Sequence, residues 1–170
     1  MWDYNGTRRP PFADEPGPHQ ESVWDYPRPP ALVRCEREVV VSSKGVELAR
    51  SRACWRVLET ASPPTFYIPE ADIDLHALVP APGTSICEWK GAAQYWSLRD
   101  DPGSEAVAWG YADPLPAFQA IRCTISFYPG RLDCFVDGEK VRPQPGYFYG
   151  GWITDDVVGP FKGEPDTGHW

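Results

Sequence analysis

Apolar and polar residues alternate over several short segments of this chain, which predicts β-strands rather than helices. The clearest alternation covers residues 121–128, where every second residue from Ile121 to Phe127 is apolar, as in a half-buried strand. A Pro-Gly turn leads into a second alternating segment at 132–136, and Asp137-Gly138 supplies a hairpin turn behind it. The pattern predicts an all-β antiparallel meander of about eight strands with little helix.

Earlier segments carry the same signals of strands and turns. Residues 39–41 and 46–49 flank the turn sequence Ser-Ser-Lys-Gly, an arrangement that predicts a hairpin. Only residues 70–78 suggest helix, limited to one or two turns. Further short strands are predicted at 54–58, 65–68 and 106–111.

The stretch 83–98 combines reactive side chains with a turn signal. Aromatic and β-branched residues lie on both sides of Lys90-Gly91, so two strands are expected to meet there at a tight bend. Such a bend holds the thiol of Cys87 and the amine of Lys90 close together, against the indole rings of Trp89 and Trp96. This stretch is therefore the best candidate for a functional site in the sequence.

Composition restricts the class of protein further. Aromatic residues make up 14% of the 170 residues, and 20 prolines with 15 glycines punctuate the chain, which excludes long helices. The formal net charge is −8, with Lys and Arg scattered among the acids, so neither a nucleic-acid groove nor an anionic membrane surface is an expected partner. No apolar run approaches the roughly 20 residues needed to cross a bilayer.

Cysteine usage and the start of the chain bear on the cellular compartment. The five cysteines are odd in number and irregularly spaced, so they do not suggest a disulfide framework. The first 30 residues are polar and rich in proline, unlike the apolar segment of a signal peptide. Both observations predict reduced thiols in a cytoplasmic protein.

Shifts in composition divide the chain into three predicted regions. Residues 1–31 hold three proline-rich clusters and are expected to form an extended arm, partly docked through Trp24 and Tyr26. Residues 32–141 are expected to form the β domain. Residues 142–170 interleave glycine with aromatic residues and are predicted to form an irregular tail packed on that domain, because a disordered tail seldom carries so many rings.

Five motifs occur together along nearly the whole chain: Trp-Asp-Tyr-Pro-Arg-Pro-Pro at 24–30, Ser-Arg at 51–52, Cys-x-x-Lys-Gly at 87–91, Tyr-Trp-Ser at 95–97 and Gly-Gly-Trp at 150–152. In this combination the chain resembles a bacterial family, the domain of unknown function 427 (DUF427), which is also labelled a nucleotidyltransferase-type domain. The resemblance implies a small β-tent or Mss4-like fold, a pair of antiparallel sheets pinned together, in a soluble bacterial protein. It implies no established activity.

Neither a metal nor any other cofactor is expected. Many proteins with the tent fold bind a structural zinc through two Cys-x-x-Cys knuckles, and this chain contains neither knuckle. Asp72 and Asp74 form an Asp-x-Asp pair of the kind that suits Mg²⁺ and nucleotidyl transfer. Because no phosphate-cradling glycine loop and no upstream Gly-Ser turn accompanies the pair, a helix-cap or turn role is predicted for Asp72.

Cys87, Lys90 and Glu59 are the candidate catalytic residues. A Cys87 thiolate stabilised by Lys90 would be a nucleophile, whereas the alternative for this cysteine is a small buried apolar side chain. Burial among rings would lower the pKa of Lys90, and a pair with Glu59 would oppose that shift. The pair would bind a ligand or transfer protons, or else only satisfy two half-buried charges.

A second set of residues is predicted to line a pocket that offers aromatic faces and one guanidinium. Such a lining suits a small planar or anionic ligand. The alternative for the rings is ordinary cross-strand packing. The six predicted ligand-binding residues are Arg52, Tyr67, Tyr95, Trp96, Trp109 and Tyr111.

Three functions remain open on these residues. The first is a module that binds a small polar or anionic ligand in an aromatic pocket around Lys90, Glu59 and Cys87. The second is an enzyme in which the same three residues perform acid–base or group-transfer chemistry. The third is a protein-interaction module that uses the proline-rich arm and the aromatic tail.

Overall fold

A computed structural model describes residues 2–170 and gives an all-β architecture, which confirms the predicted fold class. Among these residues no helix has the length and apolar character that crossing a bilayer requires. The helical elements are short 3₁₀ turns at Val23–Asp25, Glu70–Asp72, Leu75–Ala77 and Pro116–Ile121. The strands are β1 (Glu21–Ser22), β2 (Ala31–Cys35), β3 (Val39–Ser43), β4 (Val46–Ser51), β5 (Cys54–Leu58), β6 (Thr65–Pro69), β7 (Leu78–Cys87), β8 (Gly91–Leu98), β9 (Ala108–Gly110), β10 (Thr124–Phe127), β11 (Asp133–Val136), β12 (Glu139–Lys140), β13 (Arg142–Pro143), β14 (Trp152–Ile153) and β15 (Val157–Val158).

Two antiparallel sheets carry most of these strands. The larger sheet has seven strands in the order β2-β5-β6-β10-β9-β8-β7, and the smaller has four in the order β12-β11-β3-β4. Two short ladders tie the ends of the chain to this body: β1 pairs with β15 in parallel, and β13 pairs with β14 in antiparallel orientation. The strands outnumber the predicted eight because several two-residue ladders carry too few residues to show alternation in the sequence.

Turn residues explain where the hairpins form. Lys44 and Gly45, between β3 and β4, have φ angles of 50° and 79°, and Asp137 and Gly138, between β11 and β12, have 48° and 82°. Two consecutive positive φ angles match the right-handed twist of the flanking strands, as two-residue hairpin loops require. Both hairpins that the sequence predicts are therefore confirmed.

The alternation along the larger sheet separates two apolar layers. Phe66 and Ile68 of β6 belong to the main core between the sheets, while Tyr67 between them belongs to a second cluster on the outer face. Strand β9 divides in the same way, with Ala108 in the main core and Trp109 outside. Because the side-chain period of a strand is two residues, the outer face receives a separate set of aromatic rings.

The prediction of a half-buried strand at 121–128 is wrong about both the length and the burial of the strand. Ile121 ends a 3₁₀ turn and Cys123 has a φ of 57°, so the extended chain begins only at β10. All four residues of β10 are buried. This strand lies between β6 and β9, and the two layers cover both of its faces.

Aromatic residues of the N-terminal and C-terminal regions are buried in the body. Trp24 has no exposed surface, and its Nε1 donates a hydrogen bond to the carbonyl oxygen of Pro160 at 3.1 Å. Trp152 is also fully buried, where it stacks on Phe66 with ring centroids 4.8 Å apart and donates from Nε1 to the carbonyl of Phe127 at 2.9 Å. Large rings stabilise mainly by burial, so both regions contribute to one folded unit.

Candidate functional site

A cleft of about 330 Å³ opens on the outer face of the seven-stranded sheet. Strands β6 and β9 supply Tyr67 and Trp109 from its floor, and the bend between β7 and β8 supplies Lys90. The C-terminal region adds Tyr149 and Lys162 to the lining. Two parts of the chain far apart in sequence therefore enclose one hollow.

The bend between β7 and β8 places Lys90 in the cleft. Gly91 begins β8 with a φ of +105°, a conformation that glycine adopts without strain. The carbonyl of Lys90 accepts a hydrogen bond from the amide of Leu115 at 3.0 Å, which fixes the bend against the following loop. The predicted tight bend at Lys90-Gly91 is thus confirmed, and its lysine side chain turns inward to 8% exposure.

The ammonium of Lys90 is held among aromatic rings. Its Nζ lies 5.9 Å from the ring centroid of Tyr111 and 5.8 Å from that of Phe118, within the range of cation–π attraction. Burial acts to lower the pKa of Lys90, but the Tyr67 hydroxyl, the Cys87 thiol and the Glu59 carboxylate outweigh it, and the pKa is raised. At neutral pH Lys90 therefore carries its positive charge.

Glu59 lines the same cleft but pairs with a different cation. Its Oε1 lies 3.2 Å from Nε of Arg28, whose side chain is 2% exposed. Arg28 also donates to the carbonyls of Tyr4 at 3.1 Å and Thr60 at 2.9 Å. Glu59 acts on Lys90 only through its electrostatic field, and no ion pair within residues 2–170 includes Lys90.

Cys87 is the third of the candidate catalytic residues, and it also lines the cleft. The last residue of β7, it is partly exposed and has a free thiol. The thiol contributes to the raised pKa of Lys90, so it lies near the ammonium. Since sulfur is a weak hydrogen-bond acceptor, it does not serve the ammonium as a strong partner.

Four tyrosines and Trp109, from the larger sheet and its adjoining turns, form part of the aromatic walls. Trp109 Nε1 donates to the hydroxyl of Tyr67 at 3.2 Å, and the ring of Trp109 lies 4.5 Å from that of Tyr128. Tyr95 forms a 2.7 Å hydrogen bond with Ser85 at the rim. Burial raises the pKa of Tyr67, Tyr111 and Tyr128, the last to about 12, so these hydroxyls stay neutral and offer protons for hydrogen bonding.

Two of the six predicted ligand-binding residues lie elsewhere. Arg52 follows β4, where its side chain is 67% exposed and faces Glu38 at 3.6 Å. Trp96 packs against the main core on the inner face of the sheet, because it is one residue beyond the outward-facing Tyr95. The structure brings together the other four, Tyr67, Tyr95, Trp109 and Tyr111.

Lys162 is a buried, charged residue of the cleft that sequence reasoning missed. It is 7% exposed, its Nζ donates to the carbonyl of Trp170 at 3.2 Å, and it lies 5.1 Å from the ring of Trp2 and 5.6 Å from that of Tyr149. Burial and the nearby Arg28 lower the pKa of Lys162. A lone lysine between Phe161 and Gly163 carries no motif, so no local signal marks it.

The Asp-x-Asp pair has structural contacts away from the cleft. Asp72 accepts a hydrogen bond from the hydroxyl of Ser51 at 2.6 Å, and Asp74 caps the Leu75–Ala77 turn through the amide of His76 at 3.2 Å. Across residues 2–170 no group of three or more His, Cys, Asp or Glu side chains has an arrangement that would hold a metal ion.

A larger depression of about 930 Å³ lies on another part of the surface. Its charged side chains include Lys140 and Asp133, which pair at 3.1 Å, and Arg131, which faces Glu105 at 3.6 Å. These charges are satisfied by one another in the folded protein. The smaller cleft, with a buried cation outside any ion pair, is the stronger candidate site.

Comparison with known proteins agrees with the motifs. No curated protein matches the chain. The family described as "Domain of unknown function (DUF427)" matches residues 31–138, well over half the chain, and that span holds the strands β2 to β11 together with Glu59, Cys87 and Lys90. The protein therefore belongs to the DUF427 family.

Proposed function

We propose that this protein binds a small anionic ligand with a planar apolar body in the cleft around Lys90. The observation that carries the proposal is the state of Lys90, which is charged, 8% exposed and outside every ion pair of residues 2–170. A buried charge is costly unless a counter-charge or strong hydrogen-bond acceptor compensates it. An anionic ligand supplies that acceptor.

The walls of the cleft suit the rest of such a ligand. Its volume of about 330 Å³ is at the small end of the range for small-molecule sites. Rings of Tyr67, Trp109 and Tyr111 offer faces and edges for a planar body. Neutral tyrosine hydroxyls add hydrogen-bond donors and acceptors that would orient polar substituents.

The same geometry favours binding over the catalytic alternative. A general base or an amine nucleophile must be unprotonated, and the raised pKa of Lys90 keeps it protonated. Glu59 is held by Arg28, so its carboxylate is not free to exchange protons with Lys90. The interaction alternative loses the anchors of the arm, since Trp24 and Tyr26 are buried in the body, and keeps only exposed rings of the tail such as Tyr147 and Phe148.

A fragment titration tests the proposal. Benzoate carries one negative charge on a ring, and benzamide has nearly the same shape without the charge. We expect benzoate to shift the indole N–H signal of Trp109 in the nuclear magnetic resonance spectrum, and to bind at least about tenfold more tightly than benzamide, as a charge-assisted hydrogen bond predicts. The signal is assigned with the variant Trp109→Phe.

Matched variants connect that preference to Lys90. Lys90→Met keeps the length and apolar contacts of the side chain, and it should abolish the preference for benzoate while the unliganded spectrum stays folded. Lys140→Met removes an exposed lysine outside the cleft and should change nothing. Equal binding of the two probes to the unmodified protein, or an undiminished preference in Lys90→Met, would overturn the proposal.

A further inference from the structure

Cys35 and Cys54 lie directly opposite each other on two neighbouring strands. Cys35 is the last residue of β2, Cys54 is the first residue of β5, and the antiparallel register pairs them. Residues opposite each other in such a ladder have Cα atoms about 4.5 or 5.5 Å apart, and their side chains lie on the same face of the sheet. Disulfides span Cα distances of roughly 4.4–6.8 Å. The backbone of this pair therefore has the spacing that a disulfide requires.

The surroundings of the two thiols suit a bond between them. Both thiols are free, and both side chains belong to the main core, Cys35 with 5% and Cys54 with 0% exposure. Cys35 acts electrostatically on Cys54, so the two thiols are near each other. Oxidation to a disulfide removes two hydrogen atoms and adds no atom, so the packed core needs no extra space for it. Because the pair ends the ladder and β2 is an edge strand, small backbone adjustments are least hindered here.

The other three cysteines have no partner of this kind. In the strand register Cys87 is opposite a glycine and Cys134 is opposite a valine. Cys123 precedes β10 and is exposed. Within residues 2–170, Cys35 and Cys54 are therefore the one pair of cysteines that the sheets place opposite each other.

The pair lies where the chain leaves the larger sheet and returns to it. Residues 36–53 contain β3 and β4, two of the four strands of the smaller sheet. A bond between Cys35 and Cys54 closes this segment into a loop that starts and ends on the larger sheet. Closing a loop of about 20 residues restricts the unfolded chain and thereby stabilises the folded one.

We infer that Cys35 and Cys54 form a site of reversible disulfide modification, with a low-molecular-weight disulfide such as glutathione disulfide as the oxidant. One protein thiolate attacks glutathione disulfide, which gives a mixed disulfide and releases a glutathione thiolate. The second protein thiolate attacks the protein sulfur of the mixed disulfide and releases the other glutathione. The two cysteines lose two electrons and two protons, and one glutathione disulfide becomes two glutathione molecules. Because both thiols are buried in the folded protein, the bond forms during folding, before the core closes over them.

Redox equilibration of the full chain with and without urea tests the inference. In a glutathione buffer with concentrated urea, loop length governs pairing, so Cys123 and Cys134, 11 positions apart, should pair more than Cys35 and Cys54, 19 positions apart. On refolding in the same buffer, the ratio of the Cys35–Cys54 bond to the Cys123–Cys134 bond should rise at least about tenfold, because a bond that stabilises the fold is favoured by the fold equally. Mass spectrometry of acid-quenched digests measures this ratio. Protein never exposed to urea, incubated until its pairing stops changing, approaches the same equilibrium from the folded side.

The stability of the oxidised protein gives a second measurement. Its urea midpoint should lie roughly 1 M above that of the reduced protein, and dithiothreitol should reverse the shift once the chain is unfolded. Cys54→Ala should abolish both the bond and the shift, and Cys35→Ala, in the edge strand, replaces it if the first variant fails to fold. Cys123→Ser removes an exposed cysteine and, as the matched control, should retain both.

Three results would overturn the inference. The first is absence of the Cys35–Cys54 bond from folded protein in a buffer that oxidises the chain in urea. The second is another pair as the main disulfide of the folded protein. The third is a bond that forms and lowers the urea midpoint, since the pair would then not fit the geometry of a disulfide. None of these results bears on the proposed function, because neither cysteine lines the cleft.

Discussion

Arg28 holds Glu59 in an ion pair at 3.2 Å, and this contact separates Glu59 from the lysine that shares its cleft. The guanidinium comes from the proline-rich N-terminal region, and its three donor nitrogens reach Glu59 and the carbonyls of Tyr4 and Thr60. One side chain thus fixes the arm to the β domain. The same contact leaves Lys90 charged and without a carboxylate partner.

Replacement of Arg28 is expected to destabilise the protein strongly. Arg28→Met leaves Glu59 and two carbonyl oxygens without their donor, and breaking a buried pair in this way costs about 2–4 kcal/mol of unfolding free energy. Urea denaturation measures the change. Arg50→Met is the matched control, because Arg50 is half exposed and its pair with Glu47 contributes less than about 1 kcal/mol. Equal losses in the two variants would contradict a structural role for the Arg28 pair.

Stability is expected to fall in acid partly through Glu21. Burial acts to raise the pKa of Glu21, but hydrogen bonds from Arg56 and Tyr26 outweigh it and hold the pKa below 4.5. The unfolded chain therefore takes up this proton at a higher pH than the folded protein, and acidification below about pH 4.5 favours unfolding.

The variant Glu21→Gln should flatten this pH dependence. Because the Glu21 side chain is 45% exposed, we expect the lost contribution to be no more than about 1 kcal/mol. Unfolding free energies of both proteins between about pH 3 and 6 give the comparison. Glu15→Gln, at a position whose side chain is 86% exposed, should retain the acid slope of the unmodified protein. A slope unchanged in Glu21→Gln would show that other carboxylates cause it.

Thiol labelling should resolve the five cysteines into three classes. Cys123 is exposed and should react first with iodoacetamide, and the partly exposed Cys87 should react more slowly. Cys35, Cys54 and Cys134 are buried and should stay protected until the protein unfolds, and burial also raises the pKa of Cys54 to about 12 and raises that of Cys134. Mass spectrometry of timed digests measures the order. Early labelling of Cys134 would contradict the packing between the two sheets.

Gly150 should be intolerant of a side chain because it contacts the cleft wall. A Cβ atom there would clash with the ring of Trp109 and come within 3.2 Å of Tyr128. Gly150→Ala should therefore cost about 1–3 kcal/mol and shift the indole signal of Trp109. Gly103→Ala is the control, since a Cβ at Gly103 meets no atom within 4 Å. An unshifted indole signal in Gly150→Ala would place the loop away from the ring.

The sequence predicts best those elements whose backbone conformation depends on residues adjacent in the chain. The Lys44-Gly45 and Asp137-Gly138 turns and the bend before Gly91 were predicted because each needs backbone angles that few residue types adopt. The strand at 121–128 differs from its prediction because Cys123 leaves the extended conformation and because the apolar layers on both sides of the sheet bury both faces of β10. Burial on both faces depends on which distant segments pack over the sheet, and alternation within one segment does not contain that information.

The residues of the candidate site also fall into two groups, those that local sequence predicts and those that it does not. The motif around Cys87 and Lys90 was identified in sequence because its residues are close along the chain. Arg52 was misplaced, and Lys162 was missed, because their positions relative to the cleft depend on contacts between distant segments. Trp96 was assigned to the cleft although one residue of register directs it into the main core.

The all-β class, the turns and the bend that carries Lys90 follow from the sequence alone, because they depend on local backbone preferences and on the two-residue period of strands. The ion pair of Arg28 with Glu59, the position of Lys162 in the same cleft as Lys90, and the lack of an ionic partner for Lys90 among residues 2–170 depend on the packed fold. Those relationships join residues up to 72 positions apart in the sequence, as Lys90 and Lys162 are, and they exist only after the apolar layers have packed and fixed which charges are removed from water together.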